Sequence, residues 1–267
     1  MPETHVFEVV IASTSNASDL GYMALHDLTK AATFLDPESD GRGYRIIGGH
    51  MVQLLSHAYP TPDVINRTTV DADAGISPLV ATEQDLHEAL KKCGYEAVQG
   101  NSYTRDSPHG KISIDLLVTP DAEGKPQVLG DRRFDAAPGL SLALAAAPVY
   151  VAACVRLRNA DKISFTAPLP GVEIAVVMKA LAWKKRFQHK DLVDLCTLLG
   201  ITHRHHRSFP RWGLSDPELT GTRRDAAHAL KLVVDEIDRG NLARSALPIK
   251  PSELAALIRR YVNLPSR

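Results

Sequence analysis

Hydrophobic and polar positions change period several times along the chain, and each change marks an element. Val6 to Ala12 reads as a strand or arm, followed by a polar Ser/Thr/Asn loop. Ser18 is placed to cap a helix that runs to about Phe34 and ends before Asp36-Pro37. Asp40-Gly41-Arg42-Gly43 is a turn, Tyr44 to Ile47 a short buried strand, and Gly48-Gly49 breaks into a helix from His50 to about Ala58. An extended segment follows Asn66, and Thr82 is placed to cap a helix from Glu83 to Lys92. Tyr95 to Val98, Ser102 to Arg105 and Lys111 to Val118 read as strands, with a loop from Asp121 to Pro126. From Gly139 to Val155 the chain carries no charge, but it is broken by Pro148 and sits at the short edge of what crosses a bilayer. A buried helix running into a buried strand fits it better than a membrane span.

Val149 to Arg158 and Lys162 to Ala167 are extended, and Pro168 with Pro170-Gly171 marks a boundary. Beyond it the 3.6-residue period dominates: Val172 to Phe187, Asp191 to Leu199, Thr222 to Arg239 and Pro251 to Val262. Pro251 suits a first helical turn and Gly240 a C-terminal cap. The expected architecture is α+β: a mixed β-sheet domain with flanking helices over residues 1–168, then a mostly helical domain over 169–267.

Composition narrows this picture without changing it. The 267 residues are 44% hydrophobic and 23% charged, ordinary for a globular protein with its own core. Formal net charge is zero, so any attraction to a polyanion has to be local. Cys93, Cys154 and Cys196 stand far apart, which argues against a disulfide framework or zinc site. They fit a reducing cytoplasm, and Met1 to His5 lacks the opening of a secretory signal, so a cytoplasmic protein is expected.

Carboxylates change the picture most. Around Arg67-Thr68-Thr69-Val70-Asp71-Ala72-Asp73, strand alternation puts Asp71 and Asp73 on one face, shared with Arg67 and Thr69. In the later strand, Asp115 stands between Ile114 and Leu116, which face the other way. Uncompensated charge on a half-buried sheet is costly, and a pair of magnesium ions with oxygen ligands would compensate it. Gly48-Gly49 leaves a strand for a helix, where free amides attract anions and absent β-carbons let phosphate oxygens approach. An ordinary tight turn would also use two glycines, and no Gly-Lys-Ser/Thr follows, so this is not a Walker A loop.

Gly48-Gly49, then Asp71-x-Asp73, then Asp115, resembles the nucleotidyltransferase superfamily with the DNA-polymerase-β-like fold. Lys179-Ala-Leu-Ala-Trp183-Lys-Lys-Arg186 followed by Lys190-Asp191-Leu-Val-Asp194-Leu is similar to its AbiEii branch. That branch supplies toxins of bacterial toxin–antitoxin and phage-defence systems, including the MenT proteins. The resemblance spans roughly residues 43 to 200.

It implies that Asp71, Asp73 and Asp115 hold two magnesium ions, with Asp115 on the acceptor side. It implies further that Lys179 and Asp191 join the catalytic set. Gly48, Gly49, Arg67, Lys179, Arg186 and Lys190 would bind a nucleoside triphosphate. Trp183 is better explained as core, and Asp194 as holding its helix in place. The implied reaction moves a nucleoside monophosphate from the triphosphate to the 3′ end of a tRNA. A cognate antitoxin protein would be the partner, with no membrane involved. Eight Lys or Arg against two Asp between Lys179 and Arg211, with His189, His203, His205 and His206, form a basic stretch suited to RNA. Two other readings fit the same residues: nucleotidylation of a small molecule or protein hydroxyl, and a non-catalytic module that binds RNA or a partner.

Overall fold

The computed structural model describes residues 6–35, 43–62, 66–121, 125–209, 211–242 and 246–265. The chain divides into two compact units: one runs to Ala58 and resumes over Thr68–Gly171, and the other comprises Tyr59–Arg67 and the chain from Val172 onward. It is mixed α and β, as expected.

In the first unit, β1 (Val6–Ala12) leads to α1 (Asn16–Ala31), β2 (Tyr44–Ile46), α2 (Gly48–Ala58) and β3 (Asp71–Ile76). Two short helices, α3 (Pro78–Glu83) and α4 (Asp85–Lys92), precede β4 (Glu96–Gln99), β5 (Ser102–Ser107) and β6 (Gly110–Val118). A small hairpin of β7 (Gln127–Leu129) and β8 (Arg132–Phe134), helix α5 (Leu140–Ala145), β9 (Val149–Arg156) and β10 (Lys162–Leu169) complete it. The main sheet has the order β2-β3-β6-β5-β4; β3 and β6 run parallel and the other pairs antiparallel. A second sheet, β1-β9-β10, has β1 parallel to β9 and β10 antiparallel to it.

β6 shows how the sequence builds this core. Ile112, Ile114, Leu116 and Val118 are buried, while Lys111, Ser113 and Asp115 on the opposite face stay open or half-open. Helix α1 packs against β3, β6 and β10, with Ala24, Leu25 and Leu28 fully buried. Each such leucine contributes roughly 1.5–3 kcal/mol when taken from water.

Several boundaries differ from expectation, each for a local reason. Ser15, not Ser18, caps α1: its backbone is extended and its hydroxyl accepts the Ser18 amide at 3.1 Å. Ser18 lies inside the first turn, and the helix stops at Ala31 rather than Phe34. Asp36-Pro37 and the Asp40–Arg42 part of the expected turn lie outside the described residues, as do 122–124 of the expected loop and Met1 to His5. Ser77, not Thr82, is the next cap; Pro78 opens α3, and the Thr82 hydroxyl donates to the Pro78 carbonyl. Gln84 at φ +60° breaks the helix there, and α4 restarts at Asp85. β7 and β8, three residues each, carry too little alternation to be read in advance.

The second unit is helical: α6 (Val172–Arg186), α7 (His189–His205), α8 (Gly221–Asp238) and α9 (Pro251–Tyr261). α6 packs on α7 and α8, and α9 packs on both α7 and α8. α7 extends well past the expected end at Leu199 because Leu198, Leu199, Ile201 and Thr202 are all buried, which overrides the poor propensity of Gly200. Gly240, at φ +79°, stands just past the C-cap Arg239 of α8, where a left-handed glycine ends a helix. Among the described residues no helix is long and apolar enough to cross a membrane.

Candidate metal centre

β3 and β6 are parallel neighbours, with Asp71 opposite Ser113 and Asp73 opposite Asp115. Directly paired residues share a face, so the three aspartates converge on the open side of the sheet while Ala72, Ile114 and Leu116 fill the core. One carboxylate oxygen from each of Asp71, Asp73 and Asp115 lies within 4.8 Å of the other two, and all three residues are half-buried.

Their neighbours tune them. Ser102 stands across from Asp115 on β5 and donates a 2.5 Å hydrogen bond to Asp115 Oδ1. Burial raises the proton affinity of Asp115; the Ser102 bond opposes this, and the Asp71 and Asp135 charges add to it. Gly48 sits at φ +68°, and a β-carbon there would fall 1.8 Å from Asp73 Oδ2. Only glycine leaves room for that carboxylate. Gly49, in the same first turn of α2, is buried. Beside the triad an open cavity of about 470 Å³ is lined by Asp71, Asp115, Ser102, Ser113 and Lys111, with Val70 and Val98 as apolar walls.

Three convergent carboxylates with no sulfur or imidazole donor fit a hard divalent cation. Asp115 points the same way, because a carboxylate pushed toward its protonated form is relieved by a positive charge. Among the described residues this is the one such group of three potential ligands.

Arg67 and Thr69 lie outside the strand whose alternation is expected to set them beside the aspartates. β3 begins only at Asp71, Thr69 is buried before it, and Arg67 belongs to the second unit. There it grips Asp194 through Nε at 2.9 Å and a second nitrogen at 3.1 Å. That bidentate pair and a hydrogen bond between His205 and the Pro60 carbonyl tie Tyr59–Arg67 to the helices.

Lys179 lies in the same cluster. It is 3% exposed, and its ammonium sits 2.6 Å from Asp194 and 4.0 Å from Asp191. Asp191 is fully buried, and both its oxygens accept from Arg186, at 2.7 and 2.6 Å. Asp191 therefore neutralises Arg186, and Asp194 ties α7 to α6 and to the Arg67 segment. Arg67, Lys179 and Arg186 thus converge on the two carboxylates Asp191 and Asp194. Lys190 is exposed in the first turn of α7, and Trp183 is buried as core.

Two features of the sites were not anticipated. Ser102 had no signal, because its role depends on strand pairing rather than on sequence spacing. Phe187, expected as the end of a helix, is instead 66% exposed at φ +51°. Comparison of the chain with family models and with curated proteins yields no match.

Proposed function

We propose that the protein is a divalent-metal-dependent nucleotidyltransferase of the DNA-polymerase-β-like kind, acting on an RNA acceptor. The observation that carries this is the convergence of Asp71, Asp73 and Asp115 on one sheet face, beside a glycine whose β-carbon would collide with Asp73. Asp71, Asp73 and Asp115 would hold magnesium. When bound, the metal lowers the pKa of an acceptor hydroxyl and neutralises charge on the triphosphate.

The chain's own residues supply the rest. The N-terminus of α2, where helix amides have no intrahelical acceptor, suits phosphate oxygens. Asp115, with raised proton affinity and a rotamer fixed by Ser102, is suited to receive the acceptor hydroxyl proton. That oxygen bonds to the α-phosphorus, the α–β phosphoanhydride breaks, and pyrophosphate leaves with the electron pair. Lys179, Arg186 and exposed Lys190 are assigned to the triphosphate, with Asp191 positioning Arg186. Exposed Lys184, Lys185 and Arg207 support a polyanionic acceptor, for which the 3′ end of tRNA and a toxin role are the specific readings.

Incubation with each labelled nucleoside triphosphate, magnesium and total RNA tests this directly. Label should enter RNA, and chelation, Asp71→Asn or Asp73→Asn should abolish it while leaving the fold intact. Incorporation that survives all three changes would sink the metal assignment. Label appearing only in small molecules or protein would replace the RNA acceptor.

A further inference from the structure

Phe187 joins α6 to α7 and fits its position on neither of the usual grounds. Its backbone is left-handed at φ +51°, a conformation that favours glycine or asparagine and is costly for a bulky side chain. Its ring is 66% exposed, where a polar residue would serve folding equally well. A strained, exposed aromatic that the core does not need points to a task outside the core.

The ring is nevertheless supported on one side. Its amide donates to the Trp183 carbonyl at 2.7 Å, and the buried Trp183 indole meets it nearly edge-on, centroids 5.1 Å apart at 67°. On either side the turn is fixed by the bidentate Arg186–Asp191 ion pair and by the Asp191 amide, which donates to the Gln188 carbonyl at 3.1 Å. The flanks are basic: Lys184, Lys185, His189 and Lys190 are exposed, and among the described residues no ion pair engages the three lysines. A pre-organised aromatic face between free ammonium groups is what a single-stranded polynucleotide needs, since its bases stack and its phosphates want cations.

We propose that Phe187 is a stacking platform for an unpaired base, with Lys184 and Lys185 holding flanking phosphates. The helical unit thereby carries a binding surface for a single-stranded RNA end. This deepens the proposed function and rests on its polynucleotide acceptor, but not on its chemistry.

The test is equilibrium binding by fluorescence anisotropy of the full chain to a labelled single-stranded RNA of about 10 nucleotides, with a blunt duplex of the same sequence alongside. Phe187→Ala should weaken single-strand binding about tenfold, from one lost stack. Phe187→Trp should keep it. Phe187→Gly should bind as poorly as Phe187→Ala while melting at a higher temperature than Phe187→Ala, because glycine relieves the left-handed strain; this separates recognition from folding. Duplex affinity should not change. The platform is overturned if Phe187→Ala and Phe187→Gly bind the single strand as wild type does. It is equally overturned if the wild type ignores single strands, which would leave the exposed ring to a protein partner. Phe187-dependent binding with no nucleotide incorporation would sink the transferase chemistry alone, whereas RNA labelling unaffected at Phe187 would sink the platform alone.

Discussion

Gly48 decides where one of the three carboxylates sits. Its φ of +68° disfavours any β-carbon, and the space that atom would occupy holds Asp73 Oδ2 at 1.8 Å. Gly48→Ala should therefore cost about 1–2 kcal/mol in backbone strain and also turn Asp73 away from the other two aspartates. The expected result is a lowered melting temperature with a smaller rise on adding manganese or magnesium than wild type shows. An unchanged metal-dependent rise would mean that Asp73 keeps its place by other contacts. Asp115 gives a second expectation at the same scale. Its folded pKa lies above the ordinary carboxylate value of 3.8, so the metal-free fold prefers the protonated acid. Stability from that proton is fully present below the ordinary value and is lost as pH rises through the raised one. Asp115→Asn keeps a partner for the Ser102 hydroxyl and removes the charge. It should stabilise the metal-free protein at neutral pH, with the gain vanishing in acid, as melting curves across pH would read. Both effects were half-legible in the sequence: the Asp-x-Asp alternation was, but the Gly48–Asp73 approach and the Ser102 bond depend on strand order.

The helices α6 and α7 carry the second group of charges, and here burial outweighs chemistry in the energetics. Lys179 is nearly inaccessible and serves both Asp194 and Asp191. Removing it leaves Asp194 to Arg67 and Asp191 to Arg186 and takes the most buried cation out of the cluster. Breaking a buried pair typically costs about 3–5 kcal/mol, and the remaining partners put this case toward the low end. Lys179→Ala should therefore lose stability as well as any triphosphate contact, visible as a lower denaturant midpoint. The double change Lys179→Met with Asp194→Leu should cost less than the two single changes summed, because neither charge is left alone and the half-exposed Arg67 can turn to water. Additive losses would mean that the pair is not coupled. The helical period locates α6 to within one residue and the start of α7 to within two, but misses the last six residues of α7. Lys179, legible as a lone charge in an apolar run, is buried rather than free. What that run could not announce was the identity of the partners. Alternation carried back from Asp71 sets Arg67 beside the aspartates only if the strand starts before Asp71, and it does not. Its guanidinium reaches Asp194, a partner distant in sequence that only the packing of Tyr59–Arg67 on the helices creates.

Across the whole molecule, zero net charge removes long-range attraction to a polyanion, so binding to RNA has to come from uneven distribution. The exposed Lys184, Lys185 and Arg207 supply it on the helical unit, an excess visible in the sequence as a count but not as a surface. Exposure was the missing information: the same stretch holds the buried Trp183 and the exposed Phe187, four residues apart and alike in composition. Charge and stacking leave different signatures. Each phosphate contact on a single strand contributes a slope of roughly 0.7 in log affinity against log salt, so replacing Lys184, Lys185 and Arg207 with alanine should flatten that slope by about 2. Affinity should fall for every RNA sequence, most at low salt, while nucleotide binding changes little. Phe187→Ala should weaken binding with the slope unchanged, since a stacked base releases no counterion. Measuring both variants across salt concentrations thus separates the electrostatic share from the aromatic one. A triple variant that keeps the wild-type slope would exclude this basic surface from RNA binding and move the acceptor to a small molecule or a protein hydroxyl.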